Sequence, residues 1–222
     1  MFSNGDSSGS ESCDASVYQR VLGDAFADLD PQLRTYFGPI PDGFVGVGVG
    51  RYAEAGLRVR ALRPLFALLG LRRIAFAEHG VDVPFTVQNT RGPERSLNAT
   101  RAFQFATGTR EMTDSMRVID GRLVDRIGIH GEIEIELAAH VRDGRLHLES
   151  RRLALRKLGV RWPLPPIVKV RLREEAESRE GRLQHVDVQI TAPILGQIYG
   201  YHGSFTYTLQ PMPTSDRMWV NR

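Results

Sequence analysis

The chain of 222 residues holds one cysteine, Cys13, and two lysines, Lys157 and Lys169. Nowhere does it run to the roughly 18 unbroken apolar residues that a membrane-spanning helix needs. One cysteine excludes an internal disulfide, and Cys13 has no adjacent imidazole to activate it as a nucleophile. No G-x-S-x-G elbow is present, which argues against covalent hydrolase chemistry. Six histidines occur, yet no two have the helical i, i+4 spacing of a zinc protease. The leader from Met1 to Ala15 is rich in Ser, Gly and Asp, with neither a basic nor an apolar stretch. It reads as a disordered leader rather than a signal peptide, and the protein as cytoplasmic with no membrane span.

What is present is an ordinary globular balance, 41% hydrophobic and 25% charged residues, with a net charge of +3. All but two of the 29 basic residues are arginines, and acids are interleaved with them. The run Arg171, Arg173, Glu174, Glu175, Glu177, Arg179, Glu180 is typical and reads as a solvated face. A mixed-sign surface lacks the continuous positive stripe that nucleic acid rewards, so none is expected as a partner.

Periodicity sets the architecture. Val17, Tyr18, Val21, Leu22, Ala25, Phe26 and Leu29 are spaced by three and four, as in an amphipathic helix with Asp14 or Ser16 as N-cap. Asp30-Pro31 opens a second helix through Phe37, and Leu62 to Arg73 forms a third. Between them, Phe44 to Tyr52 alternates valine with glycine. Arg51 stands where a nucleotide-binding fingerprint needs its third glycine, so this is a strand with one face bared for close approach. From Val81 onward the period is two, through segments 99–107 and 110–119 and on to Leu209, with turns at Asp143-Gly144 and Glu180-Gly181. The expected fold is mainly β with a minor helical part. An antiparallel meander of about eight or more strands curls into a barrel or half-barrel, with the N-terminal helices packed against it. Residues 16–210 form this single domain, after the leader 1–15 and before a C-terminal tail 211–222.

The helical opening YQRVLGDAFADLDPQLRTYFG, the GVGVGR run and the segment RAFQFATGTREMTDSM resemble a bacterial family, domain of unknown function 4166. GRLVDRIGIHGEIEIEL, LGVRWPLPP and GQIYGYHGSFTYTL extend the likeness over roughly Val17 to Leu209. The chain resembles a stand-alone member, while other members are appended to dehydrogenase-like domains. The resemblance implies no activity and carries no catalytic residue across.

Candidate sites therefore come from the residues. His130, Glu132, Glu134, Glu136 and His140 share one strand face, but alternation of this kind is also what a water-facing strand shows, and no metal or other cofactor is expected. Large side chains on several strands suggest an interior pocket instead: Phe103, Phe105, Met112, Met116, Trp162 and Tyr199, with Arg110 beside them, as the substrate-binding set. Arg101 shares strand parity with Phe103 and Phe105, and Asp114 lies between Met112 and Met116. A charge inside an apolar row must be paired, solvated or useful, so the two are expected inside the barrel and within reach of one another. Trp162-Pro163-Leu164-Pro165-Pro166 reads as a stiff loop at the pocket rim.

These features point to a cofactor-independent enzyme that cyclises or isomerises a bulky, largely apolar small molecule. Asp114 or Glu136 would move a proton, and Arg101, Tyr201 or His202 would polarise an oxygen. Two other readings share the same residues: a non-catalytic carrier or sensor of a lipid-like ligand, and a docking domain for a separate oxidoreductase of the dehydrogenase type.

Overall fold

The computed structural model describes residues 15–177 and 183–212. The leader up to Asp14, the Glu180-Gly181 turn and the tail from 213 lie outside the described residues.

The chain opens with α1 (Val17–Leu22) and α2 (Pro31–Phe37). Ser16 caps α1 and forms a capping box with Gln19, and Asp30 caps α2 with Pro31 at its first position. The helix expected to continue to Leu29 stops early. Gly23 adopts φ 55°, which ends the α-helix, and a 3-10 segment takes over from Gly23 to Asp28. Then follow β1 (Phe44–Leu57), α3 (Arg63–Leu71), β2 (His79–Arg91), β3 (Leu97–Phe105), β4 (Gly108–Ile119) and β5 (Arg122–Ile127). The remainder is all strand: β6 (Ile133–Arg142), β7 (Arg145–Lys157), β8 (Val160–Leu164), β9 (Lys169–Ala176), β10 (Leu183–Ala192) and β11 (Gly196–Pro211).

Every pairing is antiparallel. The order β6-β5-β4-β3-β2-β1-β11-β10-β9-β7 closes on itself through β6 and β7, giving a ten-stranded barrel. β8 continues the line of β9 and pairs only with the far end of β7, so the β7–β8 hairpin extends past the wall. The segment expected as a stiff rim loop is therefore in part a strand. Pro163 is tolerated there because β8 has an open side. Among the described residues no helix is long and apolar enough to cross a membrane.

The bared glycines face inward. A Cβ on Gly46 would collide with the Tyr207 ring and one on Gly50 with Phe205. Those rings take the space the glycines leave, and Tyr36 of α2 packs edge-on against Tyr207 and Phe205, with centroids 4.7 and 5.5 Å apart. The close approach expected there is thus made by the protein's own rings. On β11, Gly200 and Gly203 sit against the carbonyl oxygens of Val188 and Arg51, and a bulge in β1 falls opposite Gly203 and His202.

Two apolar clusters fill the ends of the barrel. One joins α1 and α2 to Met116, Leu123, Ile135, Leu137, Leu146 and Leu148. The other joins α3 and Phe76 to Tyr52, Phe85, Phe103 and Tyr199. Two acids expected on a solvated face are buried. Glu174 points inward between these clusters, and Glu134 lies on the outer wall beneath Arg126, Arg156 and Arg161.

Candidate functional site in the barrel interior

The β3–β4 connection is two residues earlier than the sequence suggests: Phe105 pairs with Gly108 around Ala106-Thr107. Arg101 consequently opposes Met112. Asp114, two places along from Met112, is therefore the diagonal neighbour of Arg101. Arg101 Nη1 donates to Asp114 Oδ1 inside the barrel.

Register carries the pattern one strand further. Asp125 opposes Met116 and Ile127 opposes Asp114, so Asp125 is the next diagonal neighbour. Arg101, Asp114 and Asp125 thus step across β3, β4 and β5. From β9 Glu174 faces the same space, accepting a hydrogen bond from the Gln184 side chain on β10. Together they line a cavity of about 100 Å³ whose other walls are Met112, Met116, Ile135, Leu137, Leu148, Leu172 and Val188. Tyr199 and Tyr201 enter from β11, and Tyr18, Tyr36 and Phe37 close the space from the N-terminal helices. That is room for several waters or one small molecule.

Burial sets the protonation states. It pushes the Glu174 carboxyl up to about 7, against the opposing pull of the Gln184 hydrogen bond and the Arg101 charge. Burial, followed by the negative charge of Asp114, holds Asp125 well above the usual carboxylate range. Asp125 Oδ1 and Gln184 Oε1 are both buried without a hydrogen-bond partner. Tyr201 is pushed up to about 12 by burial, and Tyr18 and Tyr36 are raised by the same cause, so all three remain neutral phenols that can donate. The interior therefore offers a cation paired with Asp114, two carboxyls of raised pKa, Asp125 and Glu174, and several hydroxyl donors within apolar walls.

Of the residues singled out in the sequence, Arg101, Met112, Asp114, Met116, Tyr199 and Tyr201 line this cavity. The Tyr199 hydroxyl lies 3.4 Å from Met112 Sδ. The others are elsewhere. Phe103 is wholly buried and packs on Phe76 and Tyr52, with centroids 4.7 and 5.3 Å apart, filling the α3 end of the barrel. Phe105 packs on Phe76 beside it, and Arg110 pairs with Glu78 at the same end, 2.6 Å apart. Glu136 points outward between Arg122 and Arg152, because Ile135 and Leu137 take the inward parity. His202 is exposed on the outer wall, one residue past inward-facing Tyr201. Trp162 is half exposed on β8 and forms no rim. Glu136, His202 and Trp162 are thus not brought to the cavity. Among the described residues no group of three His, Cys, Asp or Glu has a metal-holding arrangement.

Sequence reasoning missed Asp125, Glu174, Gln184, Tyr18 and Tyr36. The signal for Asp125 was present, since it lies between Leu123 and Ile127 at one parity, as Asp114 lies between methionines. Glu174 follows Val170 and Leu172 in the same way, but its charged neighbours Arg173 and Glu175 made the segment look solvated.

The match to the family described as Domain of unknown function (DUF4166) spans residues 29–205. The chain belongs to that family. The matched region contains the charged layer of the DUF4166 barrel entire, from Arg101 to Gln184, along with Tyr36, Tyr199 and Tyr201, while α1 and Tyr18 precede it. No curated protein matches the chain.

Proposed function

We propose that the chain is a cofactor-independent enzyme that isomerises or cyclises a largely apolar small molecule by proton transfer inside the barrel. The observation that carries this reading is the pair of buried carboxyls, Asp125 and Glu174, held at raised pKa beside a fixed arginine in an apolar cavity. An acid and a base working near neutrality need raised values of this kind, and burial in the apolar cavity supplies them.

In outline, the Glu174 carboxylate removes a proton from a carbon next to a substrate carbonyl. Arg101 and the Tyr201 hydroxyl stabilise the oxyanion that develops. Asp125, as the neutral acid, returns a proton at a second carbon, and proton exchange between the two carboxyls restores the resting state. Ring closure draws on the same groups, with the apolar walls holding a flexible chain in its reactive fold. We place this chemistry in the cytoplasm. A separate oxidoreductase is the natural neighbour, given the dehydrogenase-like domains to which relatives are appended.

The test is turnover of a panel of linear, carbonyl-bearing precursors of polyketide type by the purified protein, followed by mass spectrometry. Turnover that falls on the acid side of an apparent pKa near 7, and that is lost in both Glu174→Gln and Asp125→Asn, supports the reading. A carrier is the second reading, because the neutral phenols and apolar walls would hold a lipid-like ligand equally well. Native mass spectrometry showing a retained ligand that both variants still bind, with no turnover, favours the carrier.

A further inference from the structure

The barrel end closed by α3 presents an apolar surface that no described part of the chain covers. α3 is apolar on both sides. Phe66 packs inward against Tyr199, with centroids 5.3 Å apart, whereas Leu65, Leu68 and Leu71 point away and are mostly exposed. A helix that is apolar all round is ordinarily covered all round. In an antiparallel barrel alternate turns share an end, so the β7–β8 and β10–β11 turns lie at this end too. At their tips Leu158 is 92% exposed and Ile194 is 96% exposed. Side chains so placed add nothing to the core.

Charge says what covers them. From Leu57 to Ala77 there are five arginines and no acid, and from Leu155 to Leu172 five basic residues and no acid. Glu54, Glu111, Glu134 and Glu149 from neighbouring strands and Glu132 from the β5–β6 connection pair with several of these cations. Arg60, Arg63 and Lys157 have no acidic partner among the described residues. Projecting apolar side chains at one barrel end, with Lys157 next to Leu158, Arg63 at the start of α3 and Arg60 just before it, match an anionic lipid surface, where acyl chains take the former and phosphates the latter.

We propose that this end of the barrel docks on an anionic phospholipid bilayer, with Leu158, Ile194 and the outer leucines of α3 entering the headgroup–acyl boundary. The docking is independent of what the cavity does. A protein partner would bury the leucines but gives no reason for the exclusion of acids from both segments.

The experiment is flotation of the purified full chain with vesicles of phosphatidylcholine alone and of phosphatidylcholine mixed with phosphatidylglycerol. The protein is expected to float with the mixed vesicles, to do so less as salt rises, and to float weakly with phosphatidylcholine alone. A Leu158→Asp/Ile194→Asp variant, altered only at exposed tips, is expected to keep the parent's circular dichroism and Tm. Its partition onto mixed vesicles should fall by on the order of tenfold. Arg60→Glu/Arg63→Glu should weaken binding to mixed vesicles alone. No flotation with mixed vesicles, or a tip variant that floats as well as the parent, overturns the proposal. A dimer in light scattering that the tip variant turns into a monomer also overturns it, assigning the surface to a second copy.

Discussion

Arg101 on β3 and Asp114 on β4 form an ion pair along a diagonal of the barrel wall, one step from the direct pairing of Arg101 with Met112. The pair sits between two apolar clusters, and two further carboxyls, Asp125 and Glu174, face the same arginine. Removing the cation leaves Asp114 without its partner and takes away the charge that lowers the pKa of the other two acids. Arg101→Met is expected to destabilise the protein by about 3–5 kcal/mol at neutral pH. The deficit in urea unfolding should shrink on acidification, as the carboxyls take up protons.

Glu174 makes stability fall as pH rises. Its folded pKa of about 7 lies above the ordinary value of 4.5, so between these limits the folded state holds more protons than the unfolded one. The contribution is complete below about 4.5, is lost as pH climbs through about 7, and then levels off. At most about 3 kcal/mol is involved, and Asp125, raised from the same side, adds to the trend. Glu174→Gln should flatten the urea midpoint across this window and be the more stable protein at alkaline pH.

Glu134 should act with the opposite sign. Burial disfavours its charge, but hydrogen bonds from Arg161 and Arg126 outweigh that and hold its pKa below the usual range. Its stabilisation is present at neutral pH and is lost as pH falls through the depressed value. Glu134→Gln is expected to cost about 1–2 kcal/mol, a modest figure because its arginine partners remain partly in water. The loss should vanish when thermal melts are repeated in strong acid.

Gly50→Ala tests the bared face of β1. The added methyl group would strike the Ser204 carbonyl oxygen and the Cβ of Phe205, neither of which can rotate away. A cost of about 3 kcal/mol or more is expected. Gly121→Ala separates this steric effect from backbone strain: nothing lies near its added Cβ, while its φ of 73° still disfavours alanine. Chemical unfolding of the two should show Gly50→Ala as the more severe.

Outer-wall variants serve as controls for the interior site. Glu136→Gln and His202→Ala alter exposed or half-exposed groups and are expected to stay within about 0.5 kcal/mol of the parent. Turnover or ligand retention should be unchanged in both, while Asp125→Asn folds and loses turnover.

Much of the barrel is legible in the alternation of side chains, because one wall of every strand faces a core and a period of two records it. Arg101 and Asp114 were legible for the same reason: a charge in an apolar row stands out. Glu174 was hidden because Arg173 and Glu175 flank it, so polarity masked parity. Glu136 and His202 misled in the reverse sense, since catalytic residue types on an outward parity are only surface. Tyr18 and Tyr36 reach the cavity from helices, and no strand pattern says where a helix will dock. The length of β8 was obscured by its prolines, which a strand tolerates where one side is open.

That open side bears on self-association. Closure of the barrel leaves β8, five residues long, as the strand with a single partner among the described residues. An unpaired row of backbone donors and acceptors is a template on which another chain can add a strand. Pro163 removes one donor from this short row, and Pro165 and Pro166 follow directly beyond it. The hairpin can therefore hold Leu158 and Trp162 out in water without offering a continuous ladder to a neighbouring molecule.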